Sequence, residues 1–245
     1  MEKRIDINRM FSFIKRQSLL NANATIIGAL AIIGALFFIS GLVGYFYPQS
    51  VTKLKPVYFG TLYIYGLIRT SNVFSELHNP QRGYAFLTLP VSTAEKLWGS
   101  WILSAPVFTF LFSGICIVLY FLACIIGGRM DAFHKIFDLD NLRGVGFFLI
   151  MQSVFFLGAV YFKKNNFMKT VAVFFLFWLV NVAYIRLLTW PFGMNNTHIY
   201  GNINNVDIIK FKDMMLFWVK DVGLCGLFAP FMLLVSYFRL KERQI

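Results

Sequence analysis

The sequence predicts an all-α, polytopic membrane protein: a six-transmembrane-helix bundle forming one domain over residues 1–245. Three observations predict it. The 245 residues are 58% hydrophobic and only 14% charged, with a mean hydropathy of +0.65, more apolar surface than a soluble domain of this length can hide. The apolar residues gather into runs nearly free of charge, and a helix of roughly 20 residues crosses a hydrocarbon core about 30 Å thick. The formal charge of +12 sits mostly in the segments between and beside those runs. That is the pattern of basic loops flanking membrane spans, and not of a nucleic-acid-binding surface.

Taken in order, the chain opens on an amphipathic segment. Ile7, Met10, Phe11 and Ile14 recur at helical spacing, with Arg9, Lys15 and Arg16 off that stripe, which predicts a helix lying on the inner leaflet. No cleavable signal peptide is expected, because the apolar run that follows is too long for a signal core. No charge falls between Arg16 and Lys53, and residues 22–47 form the first span. Small residues within it, Ala24 and Gly28, Ala31 and Ala35, Gly41 and Gly44, are spaced for close helix packing, within the bundle or against a partner helix. The second span covers residues 56–75, with Arg69 near enough to its end to snorkel. The third covers 98–126, the fourth 144–162 and the fifth 167–188, with Arg186 at its far end. A turn-rich loop and an amphipathic stretch, in which Ile208, Ile209, Phe211, Met215 and Trp218 alternate with charges, lead to the sixth span, 222–238.

Orientation follows from the basic residues. With the N-terminus inside, fourteen of the 23 Lys and Arg residues and five of the eleven acidic ones lie in inner segments, so these net +9 and the outer ones +3. Both termini are therefore expected in the cytoplasm. Tyr45, Tyr47, Tyr58, Trp190 and Trp218 would then belong to the outer interface, and Trp98 and Trp101 to the inner one.

Chemistry has little to work with at membrane depth. His78, His134 and His198 lie in different loops, and no pair of histidines or carboxylates recurs at the spacing that places metal ligands on one helix face. Asp138 and Asp140 in FDLDN lack the rest of a calcium loop and read as a turn. Cys116, Cys124 and Cys225 fall inside apolar runs, where a thiol packs as a small hydrophobe. No serine or cysteine has an evident base beside it, and a phosphate-cradling GxxxxGK loop is absent. An enzyme is not expected, nor is any cofactor. Two amides, Gln152 and Asn181, are the polar exceptions within spans; each either lines a path or bonds helix to helix.

The segment ELHNPQRGYAFLTLPVSTAEKLWG, Glu76 to Gly99, is too polar to span and too structured for a plain connector. An acidic residue closes the second span, a proline turn and Arg82-Gly83 follow, and then an apolar strip of Tyr84, Phe86, Leu87 and Leu89. Ser92 or Thr93 caps a new helix, and Ser92 with Glu95 matches the S-x-x-E capping box. Apolar residues here can dock while charges meet a soluble partner.

This passage, RGYAFLTLPVSTAEKLWGSW after an acidic residue, resembles the permease subunits of type-2 ABC transporters, an exporter family, and the six spans and N-terminal interfacial helix agree with it. The resemblance implies that the passage is a cytoplasmic coupling helix seated in a cleft of a separate ATPase subunit. Glu76, Arg82, Gly83, Tyr84, Leu89, Pro90, Ser92, Glu95 and Lys96 become its contact residues. It implies ATP and magnesium in that partner alone, and a second permease copy or homologue to complete twelve spans. It also implies residence in a bacterial cytoplasmic (inner) membrane, with transport, most simply export, as the function. Two other classes stay open: a non-transporting membrane scaffold or assembly factor, and an intramembrane enzyme.

Overall fold

The computed structural model describes residues 6–20, 22–78, 80–189 and 227–242. Every regular element among them is helical: α1 Ile7–Leu20, α2 Ala22–Phe46, α3 Leu54–Ser71, α4 Pro80–Leu87, α5 Thr93–Ile102, α6 Phe108–Ile126, α7 Leu139–Tyr161, α8 Asn166–Thr189 and α9 Ala229–Glu242. Short 3₁₀ segments, Pro48–Lys53 and Met130–Phe137, join α2 to α3 and precede α7.

Four helical stretches among the described residues are long and apolar enough to cross a membrane: Thr25–Phe46, Thr93–Ile126, Leu139–Tyr161 and Asn166–Tyr184. They coincide with the first, third, fourth and fifth expected spans. The second expected span is the helix α3, which ends at Ser71 where a run to residue 75 was expected, and which carries Lys55 and Arg69. Its polarity has a packing reason. α3 lies against both α6 and α7 and buries Leu54, Tyr58, Leu62, Gly66, Leu67, Thr70 and Ser71, so much of its surface meets protein. The sixth expected span is described only from residue 227, and α9 continues past its expected end to Glu242. The amphipathic stretch expected before the sixth span, Cys225, His198, Trp190 and Trp218 lie outside the described residues.

α7 is the central post, packed on α3, α8 and α9, with 50% of its apolar stretch buried against 11% for α2 and 6% for α8. Gly158 of α7 lets α8 come so close that a Cβ there would collide with the Thr170 side chain. Of the glycines in α2, Gly44 alone sits in a tight helix crossing, where a Cβ would stand 2.9 Å from the Ala123 carbonyl oxygen of α6; at Gly34 and Gly41 it would meet nothing within 4 Å. Two apolar clusters follow. One surrounds Tyr58, Leu62, Phe112, Tyr120 and Phe148 in the middle of the bundle. The other gathers Phe13, Phe74, Phe86, Leu97 and Phe156 with Leu233 and Leu240 of α9 at the end that carries α1.

Helices α5 and α6 are one rod interrupted by a π turn, Leu103–Val107, around Pro106. Proline supplies no N–H and crowds the preceding turn, so the ladder widens. The Ser104 carbonyl beside it accepts from the Gln152 side-chain amide, which also donates to Thr70 Oγ1 at 2.8 Å. Gln152 is fully buried. Of the two roles open to it, it takes the structural one and ties α3, the π turn and α7 together. Asn181 is exposed on α8 and donates to the Phe177 carbonyl of its own helix at 2.7 Å.

Tyr58 corrects an expectation. It is 5% exposed and lies 2.7 Å from Ser40 Oγ inside the bundle, whereas Tyr45 and Tyr47 are exposed as interfacial aromatics are. Cys116 and Cys124 are buried free thiols. Asp138 stands at the N-cap of α7 and Asp140 pairs with Arg143 at 3.4 Å. No group of three or more metal-ligating side chains occurs among the described residues.

Candidate functional site

The segment from Glu76 to Lys96 folds as a short helix between two corners, clamped from one side by α1. Its second corner is the capping box expected from sequence. Ser92 takes extended backbone angles, φ −68° and ψ 158°; its hydroxyl accepts from the Glu95 N–H at 3.2 Å, and Glu95 Oε2 accepts from the Ser92 N–H at 2.7 Å. Each end of the box satisfies a helix N–H that would otherwise lack a partner.

Glu95 does more than cap. Its other oxygen, Oε1, accepts from the Asp6 backbone N–H at 2.7 Å and from Arg9 Nη2 at 3.1 Å. The carboxylate is thus the joint between α5 and the start of α1, and it is fully buried. Helix 93–126 is about 51 Å long at 1.5 Å per residue, far more than the roughly 30 Å core needs, so a span over the expected residues 98–126 leaves Glu95 outside it. Burial pushes the Glu95 carboxyl up, but donors from Asp6, both groups of Ser92 and the Arg9 charge outweigh it and hold the acid below its usual 4.5. Next to it Lys96 is equally buried, its ammonium 5.3 Å from the centre of the Phe86 ring.

α1 docks on α5 by part of its expected apolar stripe, Met10 and Ile14, together with Phe13. Phe13 is the residue it buries, and Met10, Phe13 and Ile14 close over Gly99 of α5, where a Cβ would stand 3.1 Å from the Phe13 ring. Ile7 and Phe11 point outward instead, 73% and 67% exposed. The arginines set off the expected stripe are the clamps: Arg9 reaches Glu95, and Arg16 Nη1 reaches Glu76 Oε2 at 3.3 Å. Gln17 adds two more ties, donating to the Val73 carbonyl at 3.1 Å and accepting from Ser100 Oγ at 3.0 Å. The sequence signal for this was the seven-residue spacing of Arg9 and Arg16, two helical turns, which puts both on one face.

α4 is anchored from beneath. Phe86 is 2% exposed, 6.0 Å from the Phe13 ring and 6.3 Å from Phe74. Gly83 faces inward, because a Cβ there would approach the Leu77 carbonyl to 3.1 Å. The preceding turn is held by His78, whose Nε2 lies 2.8 Å from the Ala159 carbonyl oxygen.

The nine residues singled out from sequence therefore divide. Glu76, Gly83, Glu95 and Lys96 are buried, with the two carboxylates committed to α1. Ser92 is a half-buried cap and Leu89 is half-buried against the Phe86 cluster. Tyr84 and Pro90 face outward, Tyr84 at 77% exposure, and Thr88, which sequence reasoning did not select, stands with them. Arg82 lies within α4. The outward residues described, Tyr84, Ala85, Thr88 and Pro90, are uncharged, and Phe86 is buried beneath them. No protein-family model matches the chain, and neither does any curated protein or solved structure.

Proposed function

We propose that this polytopic helical membrane protein is the permease subunit of an ATP-driven transporter, most simply an exporter, and that a separate ATPase docks on α4 and the corner that follows it. The observation that carries the reading is the construction of that short helix. It is fixed below by Phe86, locked at its far corner by the capping box, and presents Tyr84 and Thr88 outward. A coupling element must transmit force without yielding, and a helix nailed to the spans at both ends does so. A loose loop does not.

On this reading α1, α4, α9's basic last turn and the α7–α8 turn with Lys163 and Lys164 lie on the cytoplasmic side of a bacterial inner membrane, in keeping with the excess of basic residues there. Residues 56–75 and 222–238 act as the remaining two of six spans. ATP and magnesium bind the partner chain alone, and a second permease copy or homologue completes the assembly. The outward side of α2, where Gly34 and Gly41 offer no steric block, is available to it.

The test is purification of the tagged chain from its native membrane. The expected result is recovery of an ATP-hydrolysing protein in fixed stoichiometry with two permease chains, with no hydrolysis by the chain alone. A chain that performs its cellular role with no such partner overturns the proposal and returns the scaffold reading.

A further inference from the structure

A cavity of about 500 Å³ opens between α1, α2, α3 and the π turn. Its lining is polar at Gln17, Thr25, Asn72 and Arg69 and apolar at Tyr65 and Phe108, whose rings lie 5.7 Å apart. Arg69 stands two residues before the end of α3, where the apolar part of the bundle gives way to the polar segment beneath α1. That is the depth at which long basic side chains meet lipid headgroups.

The two charges lining the cavity do not pair with each other. Glu76 also lines it, but Arg16 already matches that carboxylate at 3.3 Å. Arg69 is half-buried and donates through Nη1 to Thr25 Oγ1 at 2.6 Å, a neutral partner. Among the described residues no carboxylate lies within ion-pair distance of Arg69. Among the described residues this guanidinium is left without a carboxylate, partly withdrawn from water, where an anion would stabilise it; the opposing charge in the same lining is Glu76, whose Oε1 is buried without a hydrogen bond. Thr25 holds the guanidinium in place at the cavity wall. A guanidinium fork matches a phosphodiester in geometry and in single charge.

We propose that this cavity binds the phosphodiester headgroup of a bilayer phospholipid. Arg69, held by Thr25, takes the phosphate, and the Tyr65–Phe108 wall carries the first carbons of an acyl chain. The inference rests on the cavity alone and holds whether or not the chain transports anything.

The test is direct binding to the purified full chain in a neutral detergent. Three probes are compared: dihexanoyl phosphatidylglycerol, glycerophosphoglycerol (the same headgroup without chains) and dihexanoyl glycerol (the chains without phosphate). The short-chain phospholipid should bind at least about tenfold more tightly than either fragment. Arg69→Gln should abolish that preference and Arg69→Lys should keep part of it. Gly28→Leu fills the cavity from α2, where a Cβ meets only the Tyr65 hydroxyl at 3.9 Å; it should block binding with the melting temperature unchanged. If the headgroup alone binds as tightly as the lipid, the site is an anion site and the lipid assignment falls. If dihexanoyl glycerol binds as tightly, the role of Arg69 falls. Should the variants melt early, the ranking of the three probes on the unmodified protein still decides.

Discussion

At the α1 end Glu95 joins three other residues, Asp6, Arg9 and Ser92. Removing it by Glu95→Ala strips the capping box and takes away the carboxylate that accepts from the Asp6 N–H and from Arg9, leaving Arg9 its pairing with Asp6 at 3.5 Å. We expect a loss of about 3 kcal/mol in reversible unfolding, the sum of a cap and a charged hydrogen bond. Arg9→Ala should cost less, about 1 kcal/mol, because the guanidinium is partly exposed and water replaces part of the bond. The pH dependence has a definite sign. The folded carboxyl is held below its ordinary 4.5, so its contribution is complete above that value and is lost as pH falls through the lower folded value. Melting curves from pH 7 to 3 should show this loss in the unmodified protein and a shallower one in Glu95→Gln. Equal curves would show that the joint contributes nothing. The capping half of this joint was legible in the sequence, since Ser92 and Glu95 are three residues apart. The other half was not: Asp6 and Arg9 lie 89 and 86 residues away, and no local pattern links them to Glu95.

At the scale of elements, helix contacts here are set by single small residues. Gly158 admits Thr170, and a Cβ at that position has nowhere to go. Gly158→Ala should destabilise the α7–α8 pair by about 1–3 kcal/mol. Thr170→Ala in the same chain should recover part of it, because the obstructing hydroxyl and methyl are gone. Thermal melts of the single and double variants measure this; additive losses would rule out the crossing as described. Apolar runs announced most helices correctly because twenty uncharged residues have few other fates. The small-residue spacing in the first span announced less. Among its glycines Gly44 alone makes a tight crossing, since spacing says which residues share a face and not which face meets a neighbour. α1 shows the same limit. Its apolar stripe was visible, but the docked side, Met10, Phe13 and Ile14, is rotated from the predicted one because Gly99 and two carboxylates determine which face fits.

For the whole molecule, topology and partner define the account. Single cysteines at Asn165, between α7 and α8, and at Met130, after α6, lie at opposite ends of helix α7. Membrane-impermeant thiol reagents on intact cells should label Met130→Cys and should label Asn165→Cys only after permeabilisation. The reverse pattern would invert the orientation and remove α4 from the ATPase. How the polar segment closes the α1 end could be read from sequence only as a corner and a cap. The burial of Glu76, Glu95 and Lys96 depends on α1 folding back over them. The central claim is that the outward face of α4 transmits the work of a partner ATPase, and Tyr84 is its most exposed aromatic. The most direct test is hydrolysis by the reconstituted complex carrying Tyr84→Asp, measured together with subunit association. The account predicts normal insertion and melting, association weakened roughly 10–30-fold as for loss of a central interface tyrosine, and hydrolysis no longer responsive to the permease. Association and permease-stimulated hydrolysis equal to those of the unmodified complex would contradict it.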